Sequence, residues 1–433
     1  MEGGAKSNKK SSAFLVRCCF QLVTLVSSRH VRLFILMIVI LCSIVPFFAI
    51  DMPFSKLYER YHTQSETLNC AKKFNSLRLS KALKYFNESY SKTPSSFYIE
   101  RSRREPEIVV CIITVSRSNS RHETGYLIQT SSVIDSIIKS DTTFKNTLLF
   151  VCNVDRNPNK HFDAMFVQSY VPYVNKYGYN SFGKTFYINN FTSNHSDASR
   201  RREFEDYIFC LNVSKSFGSP YVLMLEDDVL PYKNVFQILH YTIKQHNLQH
   251  SEHLGKKVVP GREFAFLKLY YPERWQGFAN EFDKILELFS IGSLGGALML
   301  SVVFLFPSNS GLSYSLKLFY FIFGAFMTMM SVLIIGRHNV ISLRRILPQL
   351  FVFKPTPGCC TPAMFYSSSV LNDLMYHLMF HSDINKDLAI NDFIKQNDIP
   401  GYILEPNLFR HIGMYTSLTD AYKPPVEFIF DMP

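Results

Sequence analysis

Leu33 to Ile50 reads LFILMIVILCSIVPFFAI, eighteen residues without a charge, and no other stretch limits the architecture so sharply. About twenty apolar residues cross the hydrocarbon core of a bilayer, whereas a cleaved leader has an apolar stretch of only about 7–15. No small-x-small cleavage pattern comes after it; the chain continues DMPFSKLYER. The segment therefore reads as an uncleaved signal anchor. Residues 1–32 hold six Lys/Arg against one acid, so +5 of the formal +11 lies ahead of the anchor, while residues 51–70 carry two basic and three acidic side chains. That asymmetry puts the N-terminus in the cytosol and the chain beyond Ile50 in the lumen. Cys18 and Cys19, just ahead of the anchor, fit either S-palmitoylation or plain packing.

Two more apolar runs come late, Ile285–Phe306 with one acid, Glu287, and Leu318–Ile335 with no charge. Pro307, Asn309 and Gly311 mark the link between them as a turn, so the pair reads as a transmembrane hairpin that crosses and returns. Its flanks then share one side, which the anchor makes luminal. GRHNVISLRR, after the third run, carries three Arg and pulls the other way; the N-terminal signal is the stronger. Six cysteines lie beyond the anchor, Cys70, Cys111, Cys152, Cys210, Cys359 and Cys360, a number compatible with three disulfides in an oxidising lumen. N-x-S/T acceptors stand at Asn87, Asn190, Asn194 and Asn212. The remaining charge is mixed, with no basic stripe interleaved with aromatics, so nucleic acid is not an expected partner.

The luminal part divides by composition. Residues 51–105 are polar with helical stretches and read as a stem. Residues 106–284 and 336–433 read as one catalytic domain split by the hairpin at 285–335. EIVVCIITV (107–115), TLLFVCNVD (147–155) and YVLML (221–225) are apolar runs of the kind buried on both faces of a parallel sheet, with helical spacing between them. The expected fold class is α/β with a mostly parallel central sheet. Ligands in such sheets sit beyond the carboxyl ends of the strands.

The third run ends in Glu226, Asp227 and Asp228. Three adjacent carboxylates at that edge repel one another, and a hard divalent cation such as Mg²⁺ or Mn²⁺ is their natural neutraliser. Such an ion can bridge a diphosphate and stabilise it as a leaving group. The plainer alternative is an acidic turn closing a strand.

An anchored chain with an apolar strand ending in E-D-D resembles the GT-A fold glycosyltransferases. ILEPNLFRHIGMYTSL (403–418) is similar to the closing segment of Golgi N-acetylglucosaminyltransferases, although Tyr415-Thr416-Ser417-Leu418 replaces a paired-serine pattern. With the hairpin and CCTP (359–362) added, the chain resembles the Golgi transferases that add N-acetylgalactosamine (GalNAc) to the glycosylphosphatidylinositol (GPI) anchor. The resemblance implies transfer of GalNAc from UDP-GalNAc to the first mannose of the GPI glycan on GPI-anchored proteins, with inversion, in the Golgi lumen at the lipid bilayer. It implies Mn²⁺ on Asp228 and His411, Glu226 and Asp227 near ribose and diphosphate, and Val115 and Arg117 near uracil and diphosphate, with Thr361 on the donor side. A solvated loop arginine is the plainer reading of Arg117, and a backbone-bonded loop histidine that of His411.

An inverting transferase needs a base for the acceptor hydroxyl. Asp387 opens a helical stretch where inverting enzymes place one; Asp383 and Asp392 are its rivals, and a helix cap is the structural alternative. Trp275 suits either stacking on an acceptor sugar or a membrane interface. Cys359-Cys360 fits an adjacent-cysteine bridge, separate bridges or a buried thiol. Two readings stand against this one: a transferase of another UDP-sugar, such as an N-glycan N-acetylglucosaminyltransferase, and a non-catalytic membrane scaffold or transporter subunit. The spans lack the internal charge pairs expected of a transport site.

Overall fold

The run Ile108–Thr114 is almost wholly buried and forms strand β1, and Thr147–Asn153 forms β2 with all seven residues buried. β-branched and aromatic side chains on both faces leave such segments no alternative to a sandwiched sheet. The other strands among the described residues are β3 (Tyr173–Asn175), β4 (Tyr221–Glu226), β5 (Val229–Pro231), β6 (Phe266–Lys268), β7 (Val352–Pro355), β8 (Ala363–Ser367), β9 (Gly401–Glu405), β10 (Phe409–His411), β11 (Tyr415–Thr416) and β12 (Ala421–Tyr422). The computed structural model describes residues 29–89, 96–117, 124–186, 198–254, 264–305, 313–381, 383–416 and 421–423. It divides into an α/β unit, Thr63–Gln276 with Ile341–Pro433, and a helical unit, Met1–His62 with Gly277–Val340.

Eight strands of the α/β unit form one sheet in the order β3-β2-β1-β4-β8-β6-β9-β7. The β3-β2-β1-β4 half is parallel, as is the β6–β9 pair. β8 runs against both β4 and β6, and β7 against β9. The sheet is thus largely parallel, as expected. In register, Ile113 of β1 meets Cys152 of β2 and Glu226 of β4, so the first apolar runs end at one edge. The polar segment 51–105 divides between the two units at His62 and Thr63. Its helix Gln64–Ser89 lies on the helix Tyr126–Ser140, where Arg78 Nε donates to Gln129 (2.9 Å) and Tyr85 Oη to Asp135 (2.7 Å).

Cys152 of β2 and Cys210 of the helix Ala198–Lys215 form a disulfide that stitches sheet to helix. This corrects the expectation of three bridges. Cys111 sits buried on β1 beside a pair already joined, and Cys70, Cys359 and Cys360 also remain thiols. The bridge closes a loop of 58 residues, worth roughly 3–4 kcal/mol of unfolded-chain entropy. Cys152→Ser/Cys210→Ser is expected to lower thermal stability on that scale, read as a shifted melting curve of the detergent-purified protein. An unchanged melt would show that the bridge contributes nothing. Of the acceptors, Asn87 is exposed near the end of its helix and Asn212 is half-buried within one; Asn190 and Asn194 lie outside the described residues.

Among its described residues the helical unit holds three helices long and apolar enough to cross a membrane, Val31–Ala49, Phe282–Phe304 and Tyr314–Ile335. Phe34 stacks on Phe323 at 4.7 Å. Small residues let the late pair pack closely: a Cβ on Gly296 would sit 2.6 Å from the Phe321 carbonyl oxygen. Glu287 is not solitary, because Arg337, fully buried at the end of the hairpin, pairs with it at 2.7 Å. Arg345 donates to Ser342 Oγ (2.6 Å) and the Asn407 carbonyl (3.1 Å). Two of the three arginines beyond the third apolar run are therefore structural, which weakens their claim to report orientation.

Candidate active site

The acidic turn is fixed from three directions. β5 leaves it antiparallel to β10, with His411 opposite Val229. The Ile412 N–H donates to the Asp228 carbonyl (2.8 Å), and Thr130 Oγ1 donates to the carbonyls of Asp227 (2.7 Å) and Val229 (2.9 Å). This ladder brings His411 Nε2 to 3.4 Å from Asp228 Oδ2. Gly413, two residues on, leaves room for that carboxylate: a Cβ there would collide with Asp228 Oδ2 and stand 2.8 Å from His411 Cε1.

Arg117, just past β1, reaches both aspartates, with Nη2 at 2.6 Å from Asp227 Oδ1 and 3.0 Å from Asp228 Oδ2. Thr114 Oγ1 donates to Asp227 Oδ2 (2.7 Å), so His161 Nε2, 2.7 Å away, is the donor to that hydroxyl. Burial lowers His161 to about 4, which keeps it neutral. Burial likewise lifts Asp227 to about 6 against the pull of Arg117. Burial also works against Asp228, but His411, Arg117 and Lys423 draw it down to about 2. His411 itself is lowered by burial to about 4 despite Asp228. At neutral pH the imidazole is uncharged, and Arg117 and Lys423 are the cations that hold Asp228 ionised.

Glu226 faces Lys386, Oε1 to Nζ 3.8 Å, and Lys386 also meets Glu203 at 3.0 Å. Burial raises Glu226 to about 7, with Lys386 opposing and Asp228 and Asp387 adding. Ligand atoms of Glu226, Asp228 and His411 lie within 4.8 Å of one another. Asp228 Oδ1 is buried without a hydrogen-bond partner, a costly arrangement unless something takes it up. Two carboxylates, one with an orphaned oxygen, and a neutral imidazole form a donor set that suits a divalent cation. Glu226 was expected near the ribose; the structure adds it to Asp228 and His411.

Asp387 does not cap its helix, Lys386–Asn397; Asn385 holds that position without a side-chain bond. Its carboxylate turns to the 359–361 loop, accepting from the Cys360 N–H (2.6 Å) and Thr361 Oγ1 (2.8 Å). Lys268 Nζ holds the loop from below through the carbonyls of Pro357 and Cys359, both 2.8 Å. The Glu226 N–H donates to the Pro362 carbonyl (2.8 Å), so Thr361 and Asp387 stand beside the acidic turn. Asp383 lies exposed before the helix and Asp392 half-buried along it. Val115 is an exposed residue beyond β1.

A cleft of about 170 Å³ opens on the other side of His411, lined by Tyr270, Glu273, Trp275, Cys360 and Lys423. Trp275 is half-exposed at its wall, and the Tyr270 ring stacks on His411 at 5.7 Å. Glu273 accepts from Tyr270 Oη (3.2 Å) and Asn407 Nδ2 (3.1 Å), and burial pushes it up to about 7. Sequence reading singled out Trp275 but passed over Glu273, two residues away, as well as Thr114, Lys386 and Gly413. A family model described as GPI-N-acetylgalactosamine transferase PGAP4 matches residues 108–410, from the first residue of β1 into β10.

Proposed function

The chain belongs to the GPI-N-acetylgalactosamine transferase family and is a membrane glycosyltransferase; on that premise we propose that it passes GalNAc from UDP-GalNAc to the first mannose of the GPI glycan, with inversion, on the luminal side of Golgi membranes. The observation that carries the reading is the convergence of Glu226, Asp228 and His411 on one point, with Asp228 Oδ1 buried and unsatisfied. These residues fit Mn²⁺, which when bound supplies Lewis-acid stabilisation of the departing diphosphate. Arg117 adds a fixed positive charge at the same edge, where a nucleotide lies across the strand ends. Val115 and Thr361 flank the nucleotide side.

Asp387 is the proposed base. Its carboxylate takes the proton of the acceptor hydroxyl as that oxygen bonds to C1 of GalNAc and the C1–oxygen bond to UDP breaks on the opposite face. The Cys360 N–H and Thr361 hydroxyl fix its orientation and leave lone pairs for that proton. Trp275 offers its indole face to the acceptor sugar in the cleft beyond His411. Anchoring the chain in the bilayer keeps the catalytic unit near a lipid-linked acceptor and raises its effective concentration.

The test pairs anomer analysis of the product with the variant Asp387→Asn. Inversion predicts a β-linked product from the α-configured donor. The variant is expected to lose roughly 10²–10⁴ in kcat at an unchanged donor KM. A product of retained configuration would sink the inverting mechanism. Full activity in Asp387→Asn alongside loss in Glu273→Gln would move the base to Glu273.

A further inference from the structure

A second cleft, of about 490 Å³, lies between the helices Gln64–Ser89 and Tyr126–Ser140, with Leu230 of β5 in its wall. Arg78, Lys81 and Lys233 line it together with Gln129, Ser132 and Ser136, and no carboxylate does so among the described residues. The acid nearest in sequence, Asp135, is buried and already accepts from Tyr85 (2.7 Å), Tyr98 (2.6 Å) and Lys139 (2.7 Å). Positive charge continues past the wall. Arg345 and Arg410 lie 4.2 and 5.2 Å from the Tyr232 ring; burial disfavours the Arg410 cation, with Tyr232 and Glu273 opposing and Arg78 and Arg345 adding. The cleft itself gathers one guanidinium and two ammonium groups on walls without an acid, which suits an anionic ligand.

We propose that this cleft is a subsite for a phosphodiester group of the acceptor, taken by Arg78 and Lys233 with Lys81 at its rim. The inference rests on the GPI acceptor, whose glycan joins a phosphatidylinositol. A guanidinium and two ammonium groups offer enough cationic donors for both free oxygens of a singly charged phosphodiester, and the volume exceeds a lone phosphate, leaving space for an attached polyol or sugar. Leu230 in the cleft wall is two residues beyond Asp228, so the cleft and the acidic turn share one short segment of chain. The sugars between the phosphate and the reacting mannose would span the distance from one to the other.

The test uses the full-length enzyme with two acceptors: a phosphorylated GPI glycan and the same glycan stripped of phosphate. Arg78→Gln/Lys233→Gln is expected to raise the acceptor KM roughly ten-fold or more on the phosphorylated glycan, the scale of lost charge-assisted contacts. The KM on the stripped glycan, the donor KM and kcat should stay put. Lys233→Gln alone, at an exposed position, should shift the same KM by a smaller factor and guards against a folding defect. Equal KM changes on both glycans, or none, would overturn the subsite. Loss of binding to phosphatidylinositol vesicles with the glycan KM unchanged would assign the cleft to the bilayer surface and overturn it also. A wild-type enzyme active on neither glycan would overturn the acceptor reading itself, and the subsite with it.

Discussion

Asp228→Asn is expected to lower kcat by roughly 10²–10³-fold, to lower the melting temperature as the charge that Arg117 and Lys423 hold ionised is lost, and to abolish rescue of GPI-linked GalNAc in cells lacking the activity. The magnitude comes from the role Asp228 plays alone. It is the one member of the acidic turn held near 2, hence ionised at any physiological pH, and its second oxygen is buried without a partner. An amide of the same shape fills the space but removes the charge from a site where one preorganised group is worth about 10²–10³. Asp227→Asn should separate from it. Asp227 ties Arg117 to Thr114, so its loss should cost more in melting temperature than in chemistry. The check is kcat for both variants across a manganese titration, with melting curves alongside. An Asp228→Asn enzyme within ten-fold of wild type would remove the carboxylate from the reaction.

Gly413→Ala should cost almost as much, roughly 10²-fold in kcat, although it adds one methyl group. Its backbone is not among the left-handed glycines, so the effect must come from space. The new Cβ meets Asp228 Oδ2 and the His411 ring together, and atoms that close force a shift of the kind that disables a positioned site. Melting temperature should fall as well, since Asp228 and His411 are buried groups that the added methyl must displace. Activity within three-fold of wild type would mean that the turn yields freely.

Periodicity was enough to read the three long apolar helices, the buried strands and the acidic strand end, because each is a local pattern. What escaped was set by contacts between distant residues. Thr114 meets Asp227 across 113 positions, and Arg117 meets Asp228 across 111; nothing near Thr114 marks it as a ligand of a carboxylate. Six cysteines allow many pairings, and only the register of β2 against the helix Ala198–Lys215 chooses Cys152 with Cys210. The helix Gln64–Ser89 looked like a polar spacer because its short apolar stripe, Leu79, Ala82, Leu83 and Phe86, is set among polar and charged residues; that stripe packs on the core while Arg78 and Tyr85 bond the helix Tyr126–Ser140. Glu273 lay within a segment already noted for Trp275, and only its burial beside Tyr270 and Asn407 distinguishes it.

The hairpin interrupts the chain between β6 and β8, yet β8 is the strand that fills the place between β4 and β6. Biosynthesis must therefore deliver both late membrane helices before the sheet can close, leaving the β4 edge open in the nascent protein. The acidic turn is made before this pause; Asp387, His411 and Gly413 are made after it. On the proposed reading, a ribosome product that inserted one helix of the pair and not the other would leave its carboxylates on one face of the membrane and its histidine on the opposite face. Membrane topology would then act as a licence: only a chain that has crossed and returned would own both halves of the candidate site.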